Sequence, residues 1–341
     1  MLKSGTFKKY DYCGACTFYL GAIIVTLICQ AVSGVISASI TMSNPDFANN
    51  ADFNTAFMIF VQLANVAFII LFSKLNRYKF DFAYITRNGG GRVEPSTFVV
   101  PVVGAGLLMI AMYLPTLWYG YFTTYALGMS PELGNINLDT ASSVVMIVIA
   151  SVFLAPVCEE IIYRGVLFNG LKQSRSVLNA VMLSALAFML MHMSPVQVVF
   201  QFALGAASAY IMHRSGRMLP SVLFHASANA LALVMQMTPF AGVLVGCEAW
   251  LTSHIAAAVF ITIGLAALGG GALYALIRFG FDVKFLGNAP AYSTVTEQSD
   301  EGVVKDRAVV EARKKDGTFR YWVGISICGV VFIAALIVSV L

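Results

Sequence analysis

What most constrains this chain is a succession of apolar runs. Each is about as long as the ~20 residues that carry a helix across roughly 30 Å of hydrocarbon. Nine runs occur in 341 residues: 17–42, 55–72, 97–120, 143–168, 177–193, 196–212, 218–237, 254–277 and 321–341. Charged residues make up only 11% of the chain and mean hydropathy is +0.80, whereas a soluble domain carries about a quarter charged residues. An ordinary soluble fold is excluded. The expected class is all-α, a polytopic membrane helical bundle of about 8–9 transmembrane helices.

Charge placement orients the bundle. Lys3, Lys8 and Lys9 precede the first run, and Lys74, Arg77, Lys79, Arg87 and Arg92 follow the second. Lys172 and Arg175 follow the fourth, Arg214 and Arg217 the sixth, and eight basic residues from Arg278 to Arg320 the eighth. The other connectors carry Asp46, Asp52, Glu132, Asp139 and Glu248 and no base. By the positive-inside rule the N-terminus is expected to be cytoplasmic and the C-terminus extracytoplasmic, in a cell membrane. The net charge of +4 is accounted for by this placement, so membrane lipids are expected partners and nucleic acid is not. No secretory signal peptide is expected, because the first apolar run is long enough to span. The lone pair Cys13 and Cys16 lacks the second pair a zinc ribbon needs. Asn88-Gly89-Gly90-Gly91 reads as a flexible loop, since neither a strand nor a Gly-Lys-Ser/Thr flanks it. Residues 287–320 read as a cytoplasmic linker with a short surface helix near 303–315, and 321–341 as an appended anchor. Gly205 and Gly269-Gly270-Gly271 read as helix-packing surfaces.

Three polar groups interrupt the apolar runs. Glu159, Glu160 and Arg164 follow a stretch, 143–156, without any charge. Charges within a bilayer are costly and are kept when paired or functional. Glu160 and Arg164 are four apart on one helical face, acid first, which is the favourable order. Glu159 points about 100° away and is left to face the interior, as a general base or acid or as part of a structural salt-bridge set. Phe188 and His192 form the second group, where a core histidine bonded to a carbonyl is the plain alternative. His225 and Asn229 form the third, one helical turn apart on one face, with tight helix packing as the alternative reading. A carboxylate, two imidazoles and an amide suit water activation with oxyanion stabilisation. The same set, Glu159, His192 and His225, also matches a zinc site with an open position.

The order Glu159-Glu160-x-x-x-Arg164, Phe188-x-x-x-His192, His225-x-x-x-Asn229 resembles the motif set of the CAAX-protease and bacteriocin-processing (CPBP, or Abi) family of intramembrane endopeptidases. The resemblance implies a peptidase core over 97–240. It is preceded by N-terminal helices and a loop over 1–96, and followed by a further transmembrane helix over 241–286, the linker 287–320 and the anchor 321–341. It implies that Glu159 activates water, that His192 positions or deprotonates it, and that His225 and Asn229 stabilise the oxyanion. Glu160, Arg164 and Phe188 are implied supports. No cofactor is expected, zinc being the alternative. The implied substrate is a peptide or lipidated protein, CAAX-like or a bacteriocin or pheromone precursor, reached from the cytoplasmic side. A proton-coupled transporter and a non-enzymatic bacteriocin-immunity protein are the rival classes. One tension stands. Counting ~1.5 Å per residue from the basic connectors places Glu159, His225 and Asn229 roughly 10–20 Å deep, but His192 about 20–25 Å. A single site then requires the fifth run to start late, tilt or be partly re-entrant.

Overall fold

The computed structural model describes residues 11–47, 50–76, 95–128, 138–281 and 307–340. The Asn88–Gly91 loop, the N-terminal lysines and residues 287–306 of the linker lie outside them. Ten helices are distinguished among the described residues: α1 Tyr12–Ser43, α2 Ala51–Leu75, α3 Ser96–Leu127, α4 Ala141–Leu171, α5 Val177–Met191, α6 Val198–Ser215, α7 Met218–Met235, α8 Thr238–Ser253, α9 Ile255–Gly280 and α10 Arg307–Val340. Eight segments are long and apolar enough to cross a membrane, and no strand occurs among the described residues. The chain is a multi-pass helical membrane protein.

Helix starts follow from the sequence. Asp11, Asn50, Thr140 and Ser176 each accept a backbone N–H of the first turn of α1, α2, α4 and α5, satisfying donors that have no partner inside the helix. Large apolar side chains such as Val35, Phe260 and Leu268 are exposed. That is the expected outer face of a bundle whose solvent is lipid.

One core runs through the bundle, from Phe18 and Tyr19 of α1 through Leu167 and Phe168 of α4 and Phe188 of α5 to Leu204 and Phe224 of α6 and α7. Small residues permit the closest approaches. A Cβ on Gly170 would sit 2.2 Å from that of Ala15, drawing α1 onto the end of α4. Gly205 lies against Ala185 and Phe188, and Gly269 against Ala111, as expected of packing positions, whereas Gly270 and Gly271 face open space.

One helix fits the re-entrant reading of the fifth run, and two others depart from the sequence expectation. The fifth run is a helix of only 15 residues, about 22 Å long, and is not among the eight spanning segments. The connector before the last internal run holds a helix, α8, in which Glu248 accepts from Tyr113 at 2.8 Å. The last run continues upstream without a break, so residues 307–320 and 321–340 form one helix. Its residues Asp316, Thr318 and Arg320 bond Cys13, Tyr12 and Thr17, and Gly324 meets Tyr19 and Ile23. The rising order on both helices makes α10 parallel to α1. Tyr321 also donates to Leu183 O of α5 at 2.8 Å. The last helix is thus part of the bundle's packing rather than a loose anchor.

Arg214, Arg217 and Arg278 meet at one end of the bundle. Arg214 donates to Arg278 O at 2.9 Å, and Arg217 to Thr97 Oγ1 at 3.0 Å. The ends of α6 and α9 therefore meet there, beside the starts of α3 and α7.

Candidate active site

The site is organised by α4, which is not a regular α-helix. Its backbone is π-helical over Val148–Leu154 and again over Ile161–Phe168, with the six-residue α-helical segment Ala155–Glu160 between them. Such wide turns leave carbonyls without their usual donor and concentrate at functional sites. Here two asparagine side chains take over. The Ala155 N–H bonds Ala150 O, five residues back, and Pro156 has no N–H to give. Ser151 O instead accepts Asn229 Nδ2 at 2.7 Å. In the second wide segment, Asn169 Nδ2 spans Arg164 O at 2.9 Å and Gly165 O at 3.2 Å.

Glu160 and Arg164 are wholly buried and form an ion pair at 3.1 Å. Glu160 also accepts Ser221 Oγ at 2.5 Å and His225 Nδ1 at 3.0 Å. Arg164 donates to Gly205 O at 3.1 Å and lies over the Phe188 ring at 4.4 Å. Phe188 in turn meets the rings of His192 and His225 edge-on, with centroids 4.7 and 5.5 Å away. Phe188 is therefore the apolar hub of three polar side chains from three helices.

Glu159 has different surroundings. Its side chain is 19% exposed. Its Oε1 accepts Gln62 Nε2 of α2 at 3.3 Å. Its Oε2 faces His192 Nε2 at 4.0 Å and His225 Nε2 at 3.9 Å. The acceptors on the far sides of the rings fix their tautomers when neutral. Phe188 O, 2.9 Å from His192 Nδ1, can only accept, so Nδ1 carries the hydrogen. Glu160, paired with Arg164, holds His225 Nδ1–H in the same way. Both Nε2 atoms therefore turn toward one oxygen of Glu159.

The fold also settles the depth tension. The fifth run begins at Val177, as the sequence suggests, but ends at Met191, with His192 as its cap. The chain turns back at once through Met193, which has a positive φ of 50°, and the short turn Pro195–Gln197. Glu159, which this tip reaches, has a further 18 residues of α4 beyond it to Ala141, about 27 Å of helix. The α5–α6 hairpin thus reverses well short of the far end of α4. Irregular backbone at this depth is tolerated where protein or a polar cavity receives it.

A cavity of ≈ 330 Å³ adjoins the site, lined by Glu159, His192, Gln62, Asn54, Gln30 and Ser33 among others. It runs along α1 and α2 away from the basic end, not toward the basic side from which the sequence suggests entry. Gln62 is the site residue that sequence reasoning missed. Its signal was an amide inside the apolar run 55–72, where polar groups are costly.

Zinc does not suit this arrangement as it stands. Tetrahedral bonds of about 2.0–2.1 Å place ligand atoms roughly 3.3 Å apart, closer than the 3.9 and 4.0 Å found between Glu159 and the imidazoles. Among the described residues no group of three or more His, Cys, Asp or Glu is set to hold a metal ion.

Comparison with known proteins locates the same region. Residues 141–231 match the family model described as Type II CAAX prenyl endopeptidase Rce1-like. A curated protein of Bacillus subtilis (strain 168), "Putative membrane peptidase YdiL", is 26% identical over 122 residues, which are 35% of this chain and 50% of that protein. The chain thus spans about half the length of the curated relative it matches. No solved structure matches. The matched segment contains every residue put forward from the sequence, from Glu159 to Asn229, but not Gln62. Through residues 141–231, this multi-pass protein is similar to the Rce1-like family of membrane endopeptidases.

Proposed function

We propose that the protein is an intramembrane endopeptidase in which Glu159 activates water for hydrolysis of a peptide bond. The observation that carries this reading is the convergence of two imidazole Nε2 atoms on Glu159 Oε2, at 3.9 and 4.0 Å. These gaps are too long for direct hydrogen bonds and suit one water between them, about 2.8 Å from each partner.

In this mechanism His192, its Nδ1–H tied to Phe188 O, accepts from the water through Nε2 and orients it. Glu159 takes the water's proton as its oxygen attacks the carbonyl carbon. The oxyanion forms beside His225 and Asn229. His225 presents Nε2 there, with Glu160 on its Nδ1 side. Asn229 keeps one amide hydrogen for Ser151 O and has a second for the substrate. Glu159 then gives its proton to the leaving amine as the C–N bond breaks. Glu160, Arg164 and Phe188 hold the two imidazoles in place. No step uses a metal.

The substrates proposed are membrane-associated peptides or lipidated proteins, of CAAX-like type or bacteriocin or pheromone precursors. The basic end of the bundle is assigned to the cytoplasm, with α1 and the parallel α10 both leading outward. The test is cleavage of a panel of acylated, farnesylated and unmodified membrane peptides by the purified protein in vesicles. Wild-type protein should cleave at least one class, with or without strong chelators. His192→Ala should lose about 10²-fold or more. Cleavage undiminished in Glu159→Gln overturns the assignment.

A further inference from the structure

The mechanism leaves the walls of the cavity unused, and those walls are unusual for a membrane segment. On α1, Thr26, Gln30 and Ser33 follow one another at helical spacing, and on α2, Asn54 and Gln62 stand eight residues apart. Polar side chains at such positions are costly in lipid unless they are paired or line a polar space. Thr26 and Asn65 account for each other, with Asn65 Nδ2 donating to Thr26 Oγ1 at 3.2 Å, and so tie α1 to α2. Gln62 is only half accounted for. Its Nε2 is spent on Glu159, but its Oε1 is buried without a hydrogen-bond partner among the described residues, in a side chain only 7% exposed. An unmet acceptor therefore lies beside the carboxylate, at the inner end of a cleft that widens toward the exposed Gln30 and Asn54.

We propose that this α1–α2 cleft binds the substrate as an extended polypeptide segment lying along α2 from Asn54 to Gln62. Gln62 Oε1 accepts a peptide N–H next to the bond that the water activated by Glu159 attacks. This rests on the peptidase reading and deepens it by naming the subsite and the conformation bound. A helix has satisfied its own N–H and C=O groups and offers none to the cleft, whereas an extended strand carries one unpaired donor and one acceptor per residue. Amide side chains present both kinds of partner on one short arm. A lipid chain has nothing to give Gln62 Oε1. Between Asn54 and Gln62, Phe57, Met58 and Val61 of the same helix line the cleft and offer apolar surface to the segment's side chains. The cleft leads away from the basic end, so the bound segment extends toward the α1–α2 turn. Because α1 and α2 lie outside the region 141–231 that matches the family, this subsite belongs to the chain's own N-terminal helices.

The test uses the full-length protein in phosphatidylcholine–phosphatidylglycerol vesicles. A photoreactive phenylalanine analogue replaces Asn54, Gln30 or, as a control, the outward-facing Leu63, which is 53% exposed. The probe is a biotinylated, internally quenched apolar peptide of about 20 residues, added to Glu159→Gln protein so that it is bound but not cut. Crosslinks to the peptide from positions 54 and 30, several-fold above position 63, are expected. Crosslinks at 63 as strong as at 54, or crosslinks at 54 and 30 to lipid alone, overturn the proposal. In cleaving protein, Asn54→Leu and Gln30→Leu should each raise KM roughly tenfold, the scale of one lost hydrogen bond, with kcat within about twofold. Unchanged KM in both variants, with cleavage intact, removes the cleft proposal and leaves the peptidase reading standing. Peptide crosslinking at 54 without cleavage by any wild-type preparation sinks the peptidase reading instead.

Discussion

Glu159 and Glu160 are neighbours in sequence with opposite surroundings. Glu160 is fully buried and meets Arg164, Ser221 and His225 at 2.5–3.1 Å. Glu159 is partly open to a cavity, with one direct partner at 3.3 Å and two imidazoles held just out of reach. A carboxylate with close partners on both oxygens is a fixed part of the scaffold. One with unmet capacity beside a cavity is available to water and substrate. About 100° of helical rotation separates structure from chemistry.

The strongest way to break this contrast is at Glu159 itself. Glu159→Gln keeps the shape and should lower kcat by about 10²–10⁴-fold, the usual range for a general base. The midpoint of thermal unfolding in detergent should be almost unmoved. An equal loss of stability would mean that Glu159 is scaffold too. Glu160→Gln should do the reverse in kind. It leaves Arg164 buried without its counter-charge, a change worth about 3–5 kcal/mol, and should show as a much lowered unfolding midpoint or poor folded yield. Glu160→Gln protein as stable as wild type would erase the distinction.

Asn229 sharpens the comparison, because it serves both sides. Its bond to Ser151 O closes the gap left by the wide turn and Pro156. Asn229→Ala should therefore cost about 1–3 kcal/mol of stability for the orphaned carbonyl, measured by denaturation, as well as activity. Loss of activity with unchanged stability would assign the residue to the oxyanion alone. The smallest effect is expected at the hairpin tip. Met193 holds a positive φ, so Met193→Gly should raise stability slightly, by up to about 1 kcal/mol of relieved strain, unless the methionine side chain contributes packing of its own. A clear fall in stability would show that packing outweighs backbone conformation there.

Much of this was legible from the chain. The apolar runs, the pairing of Glu160 with Arg164 and the spacing of Phe188 with His192 and of His225 with Asn229 rest on local hydropathy and helical geometry, while their roles in one site were implied by the family resemblance. The missing parts share one cause. The wide turn before Pro156 leaves Ser151 O to Asn229 of α7, a partner that no single run shows. Gln62 is identified only by the packing that brings it against Glu159. A partly re-entrant fifth run was open to the sequence, but the point at which its helix ends, at Met191 with His192 as cap, is visible only in the fold.

The sequence by itself determined that this chain is a membrane bundle with costly polar groups in three of its apolar runs. Apolar length and buried charge are properties of single segments, and a bilayer tolerates few ways of satisfying them. Only the tertiary structure decided which carboxylate is spent and which is free, that both imidazoles turn their Nε2 atoms to the free one, and that the cavity runs along α1 and α2. Those outcomes depend on how each helix is rotated against its neighbours. That rotation is set by packing at contacts such as Gly170 against Ala15 and by side-chain bonds such as Asn229 to Ser151, which no single segment encodes.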